Sequence, residues 1–146
     1  MYAIDTNILV YAHNTGAAHH KRAKAFVEEV MSITDDDGKY QVCIPAQVLI
    51  EFLNVITWSR LESPLPLAVA TEIVKDYFHS GVDIIHPSPN QLNTLFDLLA
   101  SVKSRKKVFD VALVATLKDN GIQGVYTVNT ADFAEFTFLD VQNPLL

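Results

Sequence analysis

Short apolar runs alternate along this chain with longer stretches whose apolar residues recur every three or four positions, and nothing else limits its fold so tightly. The runs are Tyr2-Ala3-Ile4, Tyr40 to Ile44 closed by Pro45, Val82 to Ile85 ended by His86-Pro87, Val125 to Val128, and Phe136 to Leu139. Between them, Ala23, Phe26, Val27, Val30 and Met31 keep helical spacing, as do Val48, Leu49, Phe52, Val55 and Ile56. So do Ala70, Ile73, Val74, Tyr77 and Phe78, and then Leu92, Leu95, Phe96, Leu99 and Val102, the predicted buried stripe of its helix. That helix is predicted to start with Ser88 as N-cap, Pro89 at the first position and Gln91 at the third, a capping box. A last helix is predicted from about Lys107 to Asn120, with Gly121 as its left-handed C-terminal residue. Strands that alternate with helices make βαβ units, which run the strands parallel and place helices on both faces. The expected class is therefore α/β, a doubly wound parallel sheet in a three-layer α/β/α arrangement.

No linker or repeat divides the sequence. Thr34 to Lys39, with three aspartates and a glycine, reads as an exposed turn, so residues 1–146 are expected to form one domain. With 49% apolar and 19% charged residues the chain has material for a core, which excludes disorder for its bulk. No apolar run nears the roughly 20 residues of a spanning helix. Asp5 and Asn7 interrupt the opening, so a signal peptide is not expected. A cytoplasmic protein without a membrane segment is expected, and Cys43, inside Val42-Cys43-Ile44, reads as a buried thiol. Large apolar side chains such as Phe52, Trp58, Tyr77 or Phe78 are expected on exposed patches that mark interaction sites.

The net charge is −6, from 11 basic and 17 acidic residues, which argues against a protein that coats nucleic acid with a basic surface. A bound cation inverts local electrostatics, so an acidic enzyme that meets nucleic acid through a metal stays open. Lys103, Arg105, Lys106 and Lys107 hold four of the 11 positive charges, and Lys21, Arg22 and Lys24 three more. Such runs read as solvated faces unless a site lies beside them.

In a parallel sheet the reactive centre lies outside the carboxyl ends of the strands, so polar residues at those ends carry the argument. Asp5 follows the first strand, where it also suits an Asx turn or helix N-cap. Glu51 shares a helix side with Val48 and Val55. A buried carboxylate costs several kcal/mol unless paired, protonated or metal-bound, and a glutamate at the helix rim avoids that cost. Asp110 heads the apolar face of Leu113, Val114 and Leu117, where the helix dipole also favours an anion. Asp132 follows the fourth strand in what reads as a loop. In a doubly wound domain all four can meet at one edge. Carboxylates forced together repel, and a hard divalent cation with oxygen ligands is the usual remedy. The chemistry this supports is phosphodiester hydrolysis by metal-activated water.

Four segments carry a family resemblance: Ile4-Asp5-Thr6-Asn7-Ile8-Leu9, Glu51 on its apolar helix, Phe109-Asp110-Val111-Ala112-Leu113-Val114-Ala115, and Thr127-Val128-Asn129-Thr130-Ala131-Asp132-Phe133. In that order, over essentially the whole chain, they resemble the PIN-domain ribonucleases, and within these the VapC toxins of toxin–antitoxin pairs. The resemblance implies a PIN-like fold and a Mg²⁺-dependent endoribonuclease in which Mn²⁺ substitutes. Asp5, Glu51, Asp110 and Asp132 would be the acidic cluster, with Asp5 and Asp110 the direct metal ligands. Thr6 and Asn7 would orient Asp5, and Asn129 would line the site. Partners implied are an RNA substrate, a small antitoxin that competes with the metal, and a second copy in a homodimer. The chain departs from its relatives after Asp110, where no further acid occurs until Asp119, and at Asn129, where some carry aspartate. It is expected to hold one metal well and to gain a second only with substrate. Lys103, Arg105, Lys106 and Lys107 precede Asp110 and would hold flanking phosphates.

Other chemistries fit less well. His19-His20 point about 100° apart on a helix and chelate poorly. With five glycines the chain has neither a nucleophile elbow nor a GxGxxG loop. A haloacid-dehalogenase phosphatase would want an acid at position 7, and a receiver domain an acidic pair and a late lysine. A degenerate PIN-like interaction module is the alternative, although such a module is expected to have lost an acid.

Overall fold

A computed structural model describes residues 1–103 and 107–146. The elements run β1 (Tyr2–Ile4), α1 (Thr6–His13), α2 (His20–Val30), β2 (Val42–Pro45), α3 (Ala46–Ile56), α4 (Leu67–His79) and β3 (Asp83–Ile85). They continue with α5 (Gln91–Ser101), α6 (Val108–Asp119), β4 (Gly124–Tyr126), α7 (Thr130–Phe133) and β5 (Asp140–Gln142). The five strands lie in the order β3-β2-β1-β4-β5, every neighbouring pair parallel. The chain builds outward from β1 through β2 to β3, then returns to the other side of β1 with β4 and β5. β1 is thus the switch point of a doubly wound sheet between two helical layers. Tyr2 faces Val42 on one side and Gly124 on the other. A Cβ at Gly124 would lie 2.4 Å from the Tyr2 ring, which itself stacks on Tyr126, so the close approach of β1 and β4 needs glycine there.

The core runs through the middle of the sheet. Ile4, Ile44 and Val125 from the strands meet Ile8, Leu9, Val48, Phe52, Val111, Val114 and Leu117 from the helices, all fully buried. Burial of this kind contributes roughly 1.5–3 kcal/mol for each large side chain. Cys43 is buried in β2, and desolvation pushes its thiol up to about 12. Among the described residues no helix is long and apolar enough to cross a membrane.

Several elements differ from their sequence reading. The last strand is Asp140–Gln142; Phe136 to Leu139 is a turn in which the Phe136 amide donates to Phe133 and the Leu139 amide to Phe136. Phe136 and Leu139 are buried, Phe138 is not, and a spacing of three is a turn's way of burying two residues. α5 starts at Gln91, two residues after the predicted start at Pro89: the Ser88 hydroxyl accepts from the Asn90 amide and donates to Asp119. The Gln91 side chain closes no capping box but donates to Thr116 on α6. The predicted stripe of α5 is only partly buried: Leu95 and Val102 pack against the core, Leu92 and Phe96 are about 60% exposed, and Thr94 and Leu98 are buried instead. Of the aromatics expected outside, Trp58 and Phe78 are exposed, Tyr77 is half-buried and Phe52 is in the core. α1 had no periodic signal because it is buried almost all round, at Thr6, Ile8, Leu9, Val10 and Ala12.

Candidate active site

The carboxyl ends of β1 and β4 lie side by side, and Asp5 takes up the junction. Its amide donates to the Tyr126 carbonyl, which stitches the chain to β4 as it leaves β1. Its carboxylate caps α1: Oδ1 accepts the Thr6 amide at 2.7 Å. Oδ2 accepts the Thr127 hydroxyl at 2.8 Å and the Asn7 amide at 3.4 Å. The Asn7 amide also donates to the Thr127 hydroxyl, and its carbonyl accepts the Val128 amide, so one asparagine clamps the two strand ends. Thr127 is fully buried and its hydroxyl also accepts the Asn129 amide.

α3 brings Glu51 to the same place. Its Oε2 accepts the Thr6 hydroxyl at 2.8 Å, and its Oε1 accepts Gln47 Nε2 from one turn earlier. That nitrogen also donates to the Phe109 carbonyl, which joins α3 to the start of α6, where Asp110 sits in the first turn. Asp132 comes from α7, whose start is tied by its amide to the Asn129 carbonyl. Asp5, Thr6, Asn7, Glu51, Asp110, Asn129 and Asp132 line one cavity of about 420 Å³.

The electrostatics follow from burial. Asp5 is 8% exposed, and desolvation pushes its carboxyl from an ordinary 3.8 up to about 6. The hydrogen bonds from Thr127 and Thr6 oppose the rise, while the charges of Asp110 and Glu51 add to it. A buried carboxylate that shares its cavity with the carboxylates of Glu51, Asp110 and Asp132 fits a hard divalent cation. Among the described residues no three His, Cys, Asp or Glu side chains close into a ready-made shell. Mg²⁺ needs no such shell, because it keeps several waters and takes one or two carboxylates directly.

Of the four basic residues expected beside the acids, Lys107 lines the cavity. Lys103 is exposed and is not among its lining residues, and Arg105 and Lys106 lie outside the described residues. Two residues escaped the sequence reading. Thr127 ends a parallel strand just as Asp5 does, so the strand-end rule would have found it. Gln47 stands four residues before Glu51 on one helix face, a spacing that brings side chains together.

The PIN-domain family model matches residues 2–139. The chain belongs to that family. The ribonuclease VapC33 of Mycobacterium tuberculosis is 30% identical over 146 residues, spanning 97% of this chain and 96% of its own length. The structure of VapC20 from the same organism, a toxin that cleaves the sarcin–ricin loop, superposes with a TM-score of 0.71 at 20% identity, covering 98% of this chain and all of VapC20. A toxin–antitoxin complex from Klebsiella pneumoniae superposes with a TM-score of 0.62 at 22% identity over 99% of this chain and 98% of the other. The PIN fold thus accounts for the five-stranded parallel sheet, and the VapC ribonucleases are the relatives of this chain.

Proposed function

We propose that this PIN domain, taking residues 1–146 as one unit, is a divalent-metal-dependent endoribonuclease and the toxin of a cytoplasmic toxin–antitoxin pair. One observation carries the reading: four carboxylates from four separate stretches of chain line one cavity at the sheet's switch point, and two of them press on the buried Asp5. Asp5 and Asp110 would hold the metal, and Glu51 and Asp132 complete the acidic set. When bound, Mg²⁺ or Mn²⁺ supplies an activated water and charge stabilisation for the leaving oxygen. The chain's own residues prepare for this. Thr6, Asn7 and Thr127 hold the Asp5 carboxylate in one orientation, and Thr6 with Gln47 holds Glu51. Asn129 lines the cavity beside Asp132, and Lys107 offers a positive charge to a flanking phosphate.

The antitoxin reading is supported by the Klebsiella pneumoniae complex and by an apolar trough next to the acids, lined by Ile50, Val55, Pro87 and Phe109. A basic side chain of the antitoxin would meet in the acidic cavity the charge demand that the metal otherwise meets. The exposed part of the α5 stripe, with Leu92 and Phe96, supports self-association as a homodimer. A degenerate interaction module is disfavoured because all four acids are present and converge. The test is Asp110→Asn, which removes a charge and little volume: cleavage of RNA should fall to background with the fold intact. EDTA should silence the native protein and Mg²⁺ or Mn²⁺ restore it. Full cleavage by the variant, or by the native protein in EDTA, overturns the reading.

A further inference from the structure

The cavity does not stop at the carboxylates. α1 and α3 leave the ends of neighbouring parallel strands, β1 and β2, and run on side by side. On α1 the lining positions are 6, 7, 10 and 11, one face of the helix, continued by its C-cap Asn14; on α3 they are Glu51 and, one turn on, Val55. At about 1.5 Å per residue, the stretch from Thr6 to Asn14 carries the cavity roughly 12 Å from the acids, the reach of a neighbouring nucleotide.

The far end is built rather than left open. Asn14 is 1% exposed, and its amide group is used on both sides: Nδ2 donates to Glu62 Oε2 at 2.7 Å, and Oδ1 accepts the Ser63 amide at 3.0 Å. Gly16 lets the loop between α3 and α4 come this close, since a Cβ there would lie 2.8 Å from Glu62 Cβ and 2.9 Å from Ser63 Oγ. A buried asparagine and a glycine on one segment therefore set the position of a single exposed carboxylate on the other. Val10, Tyr11, Val55 and Leu61 line the space between that carboxylate and the metal-binding acids. Apolar walls with one polar group at the end suit a flat aromatic ring with donors on its edge.

We propose that this end of the cavity is a nucleobase subsite selective for guanine, with Glu62 as its specificity-determining residue. The inference rests on the ribonuclease reading, which brings an RNA strand into the cavity. Guanine alone among the four bases presents two adjacent donors, N1–H and the N2 amino group, to the two oxygens of a carboxylate. Adenine and cytosine set a ring acceptor beside their amino group, and uracil offers one donor between two acceptors, so each points a lone pair at Glu62. The carboxylate has about four lone-pair positions, and the Asn14 amide occupies one of them. The same amide holds the Glu62 carboxyl below its ordinary range, so it stays ionised and acceptor-only. RNA-reading proteins use this combination of apolar faces for stacking and hydrogen bonds to the base edge.

The experiment titrates the full chain with GMP, AMP, CMP and UMP without added metal, followed by NMR, and maps the cuts made in a random-sequence RNA pool with Mg²⁺ present. GMP should bind roughly tenfold or more tightly than the other three, the discrimination a bidentate pair supplies. In Glu62→Gln that preference should vanish, with the thermal midpoint close to the native one. Cuts by the native protein should show guanine enriched at one fixed position from the break. Equal affinity of the native chain for the four nucleotides, or a guanine preference that survives in a folded Glu62→Gln protein, overturns the subsite. Cleavage with no base enriched near the cut overturns it too, while the ribonuclease reading stands. A native chain that cleaves no RNA yet prefers GMP supports the subsite and overturns the ribonuclease reading.

Discussion

The two ends of α1 each draw a titratable side chain out of water, Asp5 almost wholly and His13 in part, and they resolve the cost differently. At the N-terminal end, burial pushes Asp5 up to about 6, and its nearest charged influences, Asp110 and Glu51, push in the same direction. At the C-terminal end, burial holds the His13 imidazole below its ordinary range, with the His20 and Lys24 charges adding to the depression. His13 is satisfied as a neutral ring: its Nε2 lies 2.7 Å from the Tyr77 hydroxyl, and Phe52 packs edge-on against it. Asp5 has good hydrogen bonds as well, yet the four carboxylates that line one cavity still call for a cation. Burial with a perturbed titration therefore does not mark a site by itself. What marks the site is perturbation by several groups of one sign that face a common space.

The largest expected effect separates the two ends by pH in metal-free protein. Asp5 ordinarily titrates at 3.8 and in the fold at about 6, so between these values the native state binds more protons than the unfolded chain. Stability falls as pH rises through that window, by about 3 kcal/mol in all. Asp5→Asn should remove this fall and be the more stable protein at pH 7, as read by urea unfolding with EDTA present. An unchanged pH profile in the variant would place the charge cost elsewhere.

Slightly smaller is the effect of metal. Mg²⁺ at about a hundred times its dissociation constant should stabilise the native protein by about 2.7 kcal/mol, seen as a raised thermal midpoint. Asp5→Asn should show little of that rise, and His13→Gln all of it. Equal responses from the two variants would erase the distinction between the ends of α1.

The histidine end should show the opposite sign on a smaller scale. His13 is depressed from 6.5, so below that pH the unfolded chain binds the extra proton, and stability is lost as pH falls below it. His13→Gln keeps a partner for Tyr77 and should flatten that acid-side loss without touching RNA cleavage. The smallest effect concerns Lys107, which lines the acidic cavity. Lys107→Ser should weaken RNA binding across all sequences and lower its salt slope by about 1. An unchanged slope would return Lys107 to the solvated surface.

Much of this molecule was legible in its residues. Apolar runs of three or four residues and stripes at helical spacing come from backbone dihedrals and nearest-neighbour burial, which act over a few positions. They announced the parallel α/β class and the strand-end position of Asp5. They also exposed Glu51 and Asp110 as acids on otherwise apolar helix faces, and the ordered motifs gave the PIN resemblance. The same local rules misled where packing, not period, decides. The stripe of α5 is a sound amphipathic pattern, but α6 packs beside it with Thr94 bonded to Asp119, and only Leu95 and Val102 of the stripe reach the core while Leu92 and Phe96 stay exposed. Phe136 and Leu139 read as a strand because apolar residues look alike in a turn that buries them.

The residues thus determined which side chains have an unusual demand, and tertiary structure alone decided which of those demands share one space. Asp5 and Thr127 are 122 positions apart, and their hydrogen bond exists because β4 returns beside β1. Glu62 carries no local signal; it joins the cavity because Asn14, 48 positions earlier, is buried and must place its amide somewhere. Pattern is short-ranged because sterics are, and convergence is long-ranged because it is the product of closing a core.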